Sequence, residues 1–153
     1  MDIKQDIILI LSGTVGALGF SYIFQSPKRR TFINMFGGFL VCAAYIICCE
    51  CTEQEFFRNF YPALFATVYA EIMARVVKAP ATPILACSII PLVPGGKLYY
   101  TTYYFVMGED KLFDATIKEL LTVASGLAVG IIFVTVIVHE INRHKFKQII
   151  DVE

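Results

Sequence analysis

The sequence has no tryptophan, only two histidines, and 17% charged residues where soluble domains carry roughly 25%. Its 13 basic and 13 acidic residues cancel, and no basic tract is longer than Lys28-Arg29-Arg30. A nucleic-acid binder needs a basic footprint, so nucleic acid is excluded as a partner. There is no glycine-rich phosphate loop with its lysine and no Gly-x-Ser-x-Gly elbow, so ATP hydrolysis and serine-nucleophile chemistry lack their parts. His139-Glu140-Ile141-Asn142-Arg143-His144 is not a zinc-protease motif. Its histidines are five apart, about 140° around a helix, where the motif needs one face. No enzyme activity and no cofactor are expected.

Five cysteines are an odd number, and Cys42, Cys48, Cys49 and Cys87 lie in or beside apolar stretches, where a thiol behaves as a small hydrophobe. No disulfide framework is expected. Cys48-Cys49-Glu50-Cys51 lacks metal-ligand spacing and a nearby histidine, so no metal is assigned.

What the chain does have is apolar sequence, 57% of 153 residues. The charges leave four stretches empty: Ile7–Pro27, Thr31–Cys49, Ala79–Gly96 and Leu120–Val138, of 21, 19, 18 and 19 residues. A helix needs roughly 20 apolar residues to cross about 30 Å of hydrocarbon, so each can span a bilayer. A fifth span runs from Phe56 to Val77, interrupted by Arg58, Asn59, Glu71 and Arg75. The expected fold is an all-α integral membrane protein, a single domain over residues 1–153 with spans near 5–26, 31–49, 57–77, 80–106 and 118–139. The lipid bilayer is its first partner. The first apolar run lacks a small-residue cleavage pattern and reads as a retained span; no segment is long enough for a separate soluble domain.

Loops are expected near residues 25–31, 50–58, 78–82 and 106–119, with a tail from His139. Lys28, Arg29 and Arg30, then Arg75 and Lys78, then Arg143, Lys145 and Lys147 enrich the first loop, the third loop and the tail. The positive-inside rule makes these cytoplasmic and the N-terminus external. Five spans are odd, so a second such unit in series would lie inverted, as in many secondary transporters. The chain reads as half of that plan, or as a unit that self-associates.

The fourth span cannot be one continuous helix. Pro91 and Pro94 supply no N–H, so the carbonyls of Cys87 and Ile90 lose their i+4 donors, and Gly95-Gly96 adds backbone freedom. Freed backbone in hydrocarbon must be buried in protein or face water, so the break marks a cavity or a packed junction. The chain resumes at Gly95–Leu98 as a helix N-terminus, which attracts anions. Lys97 adds charge, and Tyr99, Tyr100, Tyr103 and Tyr104 form a hydroxyl-bearing aromatic wall. The segment is either a seat for a substrate carboxylate or a packing kink with an interfacial tyrosine belt. The discontinuous helix at a transporter midplane favours the seat.

Glu71 and Arg75 are ionisable residues inside a span, four apart with the acid first. They form either an intrahelical clasp or, at Glu71, a carrier of a coupling proton. Gly13, Gly16 and Gly19, and Ser125, Gly126 and Gly130, form small-residue strips suited to close helix packing. Asn34 with Gly37 and Gly38 marks a helix–helix hydrogen bond or a second irregular point.

Ala70-Glu71-Ile72-Met73-Ala74-Arg75, Lys78-Ala79-Pro80-Ala81 and Ile90-Pro91-Leu92-Val93-Pro94-Gly95-Gly96 with Tyr99-Tyr100 resemble the threonine/serine exporter family. More closely, the sequence resembles the short membrane-only subunit of its split, two-gene members. The resemblance implies a proton-motive-force-driven exporter of small amino acids, or of a dicarboxylate such as succinate, in a bacterial inner membrane. It also implies a companion subunit with five further spans and a soluble hydrolase-like N-terminal region. Glu71, Arg75, Pro91, Pro94, Gly95, Gly96, Tyr99 and Tyr100 fall on its motif positions. Two other readings stay open: a structural or regulatory membrane subunit, and a passive channel.

Overall fold

The computed structural model describes residues 3–150, with side chains described as far as residue 143. Six helices follow one another: α1 (Ile3–Ile23), α2 (Lys28–Cys51), α3 (Glu55–Val77), α4 (Ala81–Ile89), α5 (Gly95–Met107) and α6 (Asp110–Ile150), with a 3₁₀ turn at Ile90–Leu92 between α4 and α5. α1, α2, α3 and α6 are each long and apolar enough to cross a membrane, and α4 with its 3₁₀ turn and α5 form a pair bent by 61° that is together long and apolar enough for a fifth, broken span. At 1.5 Å per residue the 21, 24 and 23 residues of α1–α3 reach about 31–36 Å, enough to cross about 30 Å of hydrocarbon.

Apolar side chains cover the outward faces as well as the inward ones: Ile7, Ile8, Leu11 and Val15 on α1, and Ile132, Phe133 and Val136 on α6, are exposed, while Ala17 on α1 and Val123, Leu127 and Val134 on α6 are buried. A helix apolar on every side needs hydrocarbon around it. The chain is an all-α membrane protein.

The connections are short because each helix stops on a local signal. Gln25 (φ 51°) takes a left-handed conformation, Ser26 N–H reaches Ser21 O and Gln25 N–H reaches Tyr22 O, and Pro27 then starts α2. Lys78 (φ 53°) ends α3 the same way, with its own N–H and that of Ala79 on Ala74 O. Gly108 (φ 73°) closes α5, where Glu109 N–H bonds Tyr104 O and Gly108 N–H bonds Phe105 O. This last turn corrects one expectation. The loop placed at 106–119 is only Gly108 and Glu109, because Asp110 to Glu119 continue as the first turns of α6.

Small residues set the helix spacing. A methyl on Gly126 would meet Phe56 O at 2.6 Å and one on Gly130 would meet Phe60 O at 2.7 Å, so α6 lies backbone-close along α3, the two running in parallel. Gly38 faces Ala17 across the α1–α2 contact, where a methyl would stand 2.5 Å from the alanine methyl, and Gly13 faces Cys42 and Pro91. Gly16 and Gly19 differ from expectation: nothing lies within 4 Å of a methyl built there, Gly19 being exposed and Gly16 bordering a small groove beside Ile90 and Pro91. Gly37 belongs to a continuous helix, with Ser88 and Tyr69 packed onto it. Asn34, 1% exposed, donates its amide to Ser21 Oγ at 2.8 Å, the interhelical bond its position suggests.

Val41, Ala63, Ala66, Leu92, Val123 and Leu127 form one apolar cluster; Ala70, Ala74 and Ile84 form a second further along α3. This topology collects Lys28, Arg29, Arg30, Arg75 and Lys78 at one end of the bundle. Glu50, Glu53, Glu55 and Arg58 stand at the other.

Candidate functional site: the cleft at the broken helix

Proline chemistry shapes the break. Pro91 cannot donate to Cys87 O, and the helix tightens to a 3₁₀ turn in which Val93 N–H bonds Ile90 O at 3.0 Å. Pro94 (φ −77°, ψ 57°) then sits at the centre of an inverse γ-turn closed by Gly95 N–H on Val93 O at 2.7 Å. Leu98 N–H bonds Pro94 O at 2.9 Å, and the N–H groups of Gly96 and Lys97 begin α5 with no intrahelical acceptor.

A cleft of about 300 Å³ opens beside this turn. Pro91 to Lys97 make one wall; Leu9 of α1, Cys42 and Tyr45 of α2, Glu55, Arg58 and Asn59 of α3, and Val123 of α6 make the rest. Its inner end lies where Pro91 packs on Gly13, midway along α1, and its outer end lies at the first turn of α3. No atom stands within 4 Å of a methyl built on Gly95 or Gly96. These glycines relieve no clash; they leave the wall bare at the start of α5.

The charge in the cleft has both signs. Lys97 Nζ donates to Glu55 Oε1 and Oε2 at 2.7 and 2.6 Å and to Glu119 Oε2 at 3.1 Å. Arg58 turns back to donate through Nε to Thr52 O at 2.5 Å, and Asn59 Nδ2 donates to Glu55 O at 2.8 Å. The half-helix start and two cations thus face two carboxylates. The ammonium expected as a bare positive charge at the helix start is already shared between acids from α3 and α6. Such a site complements a molecule carrying a carboxylate and an ammonium together.

Of the residues singled out in the sequence, Pro91, Pro94, Gly95, Gly96 and Lys97 meet in the cleft. Cys87 is buried outside its lining, and Ile90 borders a separate small groove with Ser12, Gly13 and Gly16. Tyr99 and Tyr100 are 64% and 53% exposed and stack on Tyr103 and Tyr104 along an outer face of α5, away from the lining. Glu71 and Arg75 lie near the other end of α3, paired at 3.6 Å beside an open cleft that also touches Lys78, Pro80, Thr82 and Asn142. Their clasp is present beside the start of α4, remote from the break at Pro91–Gly95. His144, Lys145 and Lys147 lie outside the residues whose side chains are described.

A family model described as Threonine/Serine exporter, ThrE, matches residues 9–137. The chain belongs to the threonine/serine exporter family. The match runs from the Leu9 wall of the cleft to the end of the apolar part of α6, so it contains every residue lining the break. Comparison with curated proteins and with solved structures finds no match. Family membership makes the chain a transporter of the exporter type.

The cleft also holds residues that the sequence did not single out as ligands: Glu55, Arg58, Asn59, Tyr45 and, at its edge, Glu119. Arg58 and Asn59 were visible as interruptions of an apolar span. Glu55 and Glu119 read as loop acids, because nothing local says that Lys97, 42 residues from one and 22 from the other, meets both.

Proposed function

We propose that this chain is the membrane subunit of a secondary exporter of small amino acids, threonine and serine first, with a small dicarboxylate such as succinate as the other substrate to test. It works with a companion subunit that contributes five further spans and a soluble N-terminal region, and proton-motive force drives it. The observation that carries this reading is the cleft at Pro91–Lys97, where unpaired helix-start N–H groups and charges of both signs face a bare glycine wall. Five spans alone seldom enclose a path, so a companion or a second copy completes it.

The basic end of the bundle is placed in the cytoplasm by the positive-inside rule. The N-terminus then lies outside and the C-terminus inside, and the cleft opens toward the outer face, where an exporter releases its cargo. The membrane is a bacterial inner membrane in this reading.

Accumulation of labelled threonine, serine and succinate in cells expressing this chain, the companion, or both tests it. Lower accumulation only with both supports the half-transporter. A pair that changes none of the three while assembling normally overturns transport by this chain in favour of a structural subunit. Export that persists unchanged once the proton gradient is collapsed points to a passive channel.

A further inference from the structure

α5 is tied to the bundle in an unusual way. It packs along α6 and only grazes the other described helices, while α6 itself is clamped to α3 through Gly126 and Gly130. At its start the chain turns at Pro94 and passes through Gly95 and Gly96, which touch nothing within 4 Å of a built methyl. The side-chain link from this start to α3 is Lys97, whose ammonium meets both oxygens of Glu55 across the mouth of the cleft. Its other contact, Glu119, lies on α6, against which α5 already rests.

We propose that the Lys97–Glu55 pair is a latch that holds the first turn of α5 to α3 at the mouth of the cleft, and that Glu55 is the carboxylate to which the substrate ammonium passes when Lys97 lets go. Lys97 is a tethered stand-in for that ammonium. A loaded amino acid puts its own ammonium on Glu55 and its carboxylate at the Gly96 and Lys97 N–H groups, so loading and release of α5 become one event. Arg58 and Asn59 on α3, Tyr45 on α2, Glu119 on α6 and Lys97 on α5 are the polar and charged groups that share this end of the cleft with Glu55. The second half of the proposal rests on the exporter reading; the latch does not.

The test uses the full chain in membrane vesicles with its companion, its five cysteines replaced and a reporter cysteine at Asn59, which lines the cleft and is 5% exposed. Alkylation by an impermeant maleimide reads opening. In K97M and E55Q the rate is expected to rise about tenfold, the factor given by about 1.4 kcal/mol of lost closing free energy. In E119Q it is expected to change less than about twofold, since an exposed pair beside an existing helix contact adds little. If Asn59→Cys leaves the chain out of the membrane, Leu92→Cys, which lines the same cleft, replaces it. Rates that do not rise in K97M and E55Q, or that rise as far in E119Q, overturn the latch. For the ammonium role, E55Q is expected to lose threonine export and E55D to keep part of it; export by E55Q at the unsubstituted rate overturns that role. If the unsubstituted pair exports nothing while labelling follows the expected pattern, the exporter reading falls and the latch stands.

Discussion

Replacing Gly95 by leucine separates a site from a kink more sharply than any other change at the broken helix. The position has no atom within 4 Å of a built methyl and no left-handed backbone, so the new side chain strains nothing. It lies in the first turn of α5, where exchanging glycine for a good helix former favours the helix by up to about 0.8 kcal/mol. Folding and insertion are therefore expected to stay within about 0.5–1 kcal/mol of the unsubstituted chain. Function should change far more. Four carbon atoms enter a cleft of about 300 Å³ and cover the N–H groups of Gly96 and Lys97. Loss of one hydrogen bond to a charged group is worth about 1.5–3 kcal/mol, so export should fall by roughly tenfold or more. The assay is labelled threonine export by cells holding both subunits, read beside the amount of each subunit in the membrane. Export at the unsubstituted rate, or disappearance of the chain from the membrane, would refute the reasoning.

Gly130→Leu is the contrasting change: its first carbon would stand 2.7 Å from Phe60 O and 2.9 Å from the Ala63 methyl, so α3 and α6 must separate. Overpacking of this kind costs about 1–3 kcal/mol, and a lower melting temperature in detergent together with less chain in the membrane is expected. Tyr69→Phe removes the 2.7 Å bond from its hydroxyl to Ile33 O, which joins α3 to α2, and should lower stability by about 0.5–1 kcal/mol in the same melt. Asn34→Leu removes the bond to Ser21 Oγ between α2 and α1 and should cost about 1–2 kcal/mol, leaving Ser21 buried without that partner. Glu71→Gln breaks a pair whose arginine is 55% exposed, so solvent screening holds the loss of stability to about 0.5 kcal/mol, again read by melting.

Much of the fold was legible because membrane spans announce themselves by length and by absence of charge. Ile7–Pro27, Thr31–Cys49 and Leu120–Val138 each lie inside or largely inside one long helix, and the Pro-x-x-Pro-Gly-Gly run marks the bend where it occurs. The lower end of α6 was not legible in this way. Charged residues from Asp110 to Glu119 look like a loop to a hydropathy argument, yet they suit a helix that rises beside α5 beyond the first turn of α3. The glycine strips were half legible: spacing alone marks Gly16 and Gly19 as packing residues just as it marks Gly126 and Gly130, and only the neighbouring helix decides between them. In the cleft, the residues contiguous in sequence were found together and the distant ones were not. Local chemistry explains Pro91 to Lys97; Glu55, Arg58 and Glu119 are brought there by tertiary packing, which no motif encodes.

Efflux of labelled threonine from proteoliposomes holding the purified chain and the proposed companion tests the central claim most directly. The account expects efflux faster than from empty liposomes, accelerated by an imposed inward proton gradient, returned to the basal rate by a protonophore, and lost with Gly95→Leu. Efflux no faster than from empty liposomes, with both subunits folded and inserted, would contradict it.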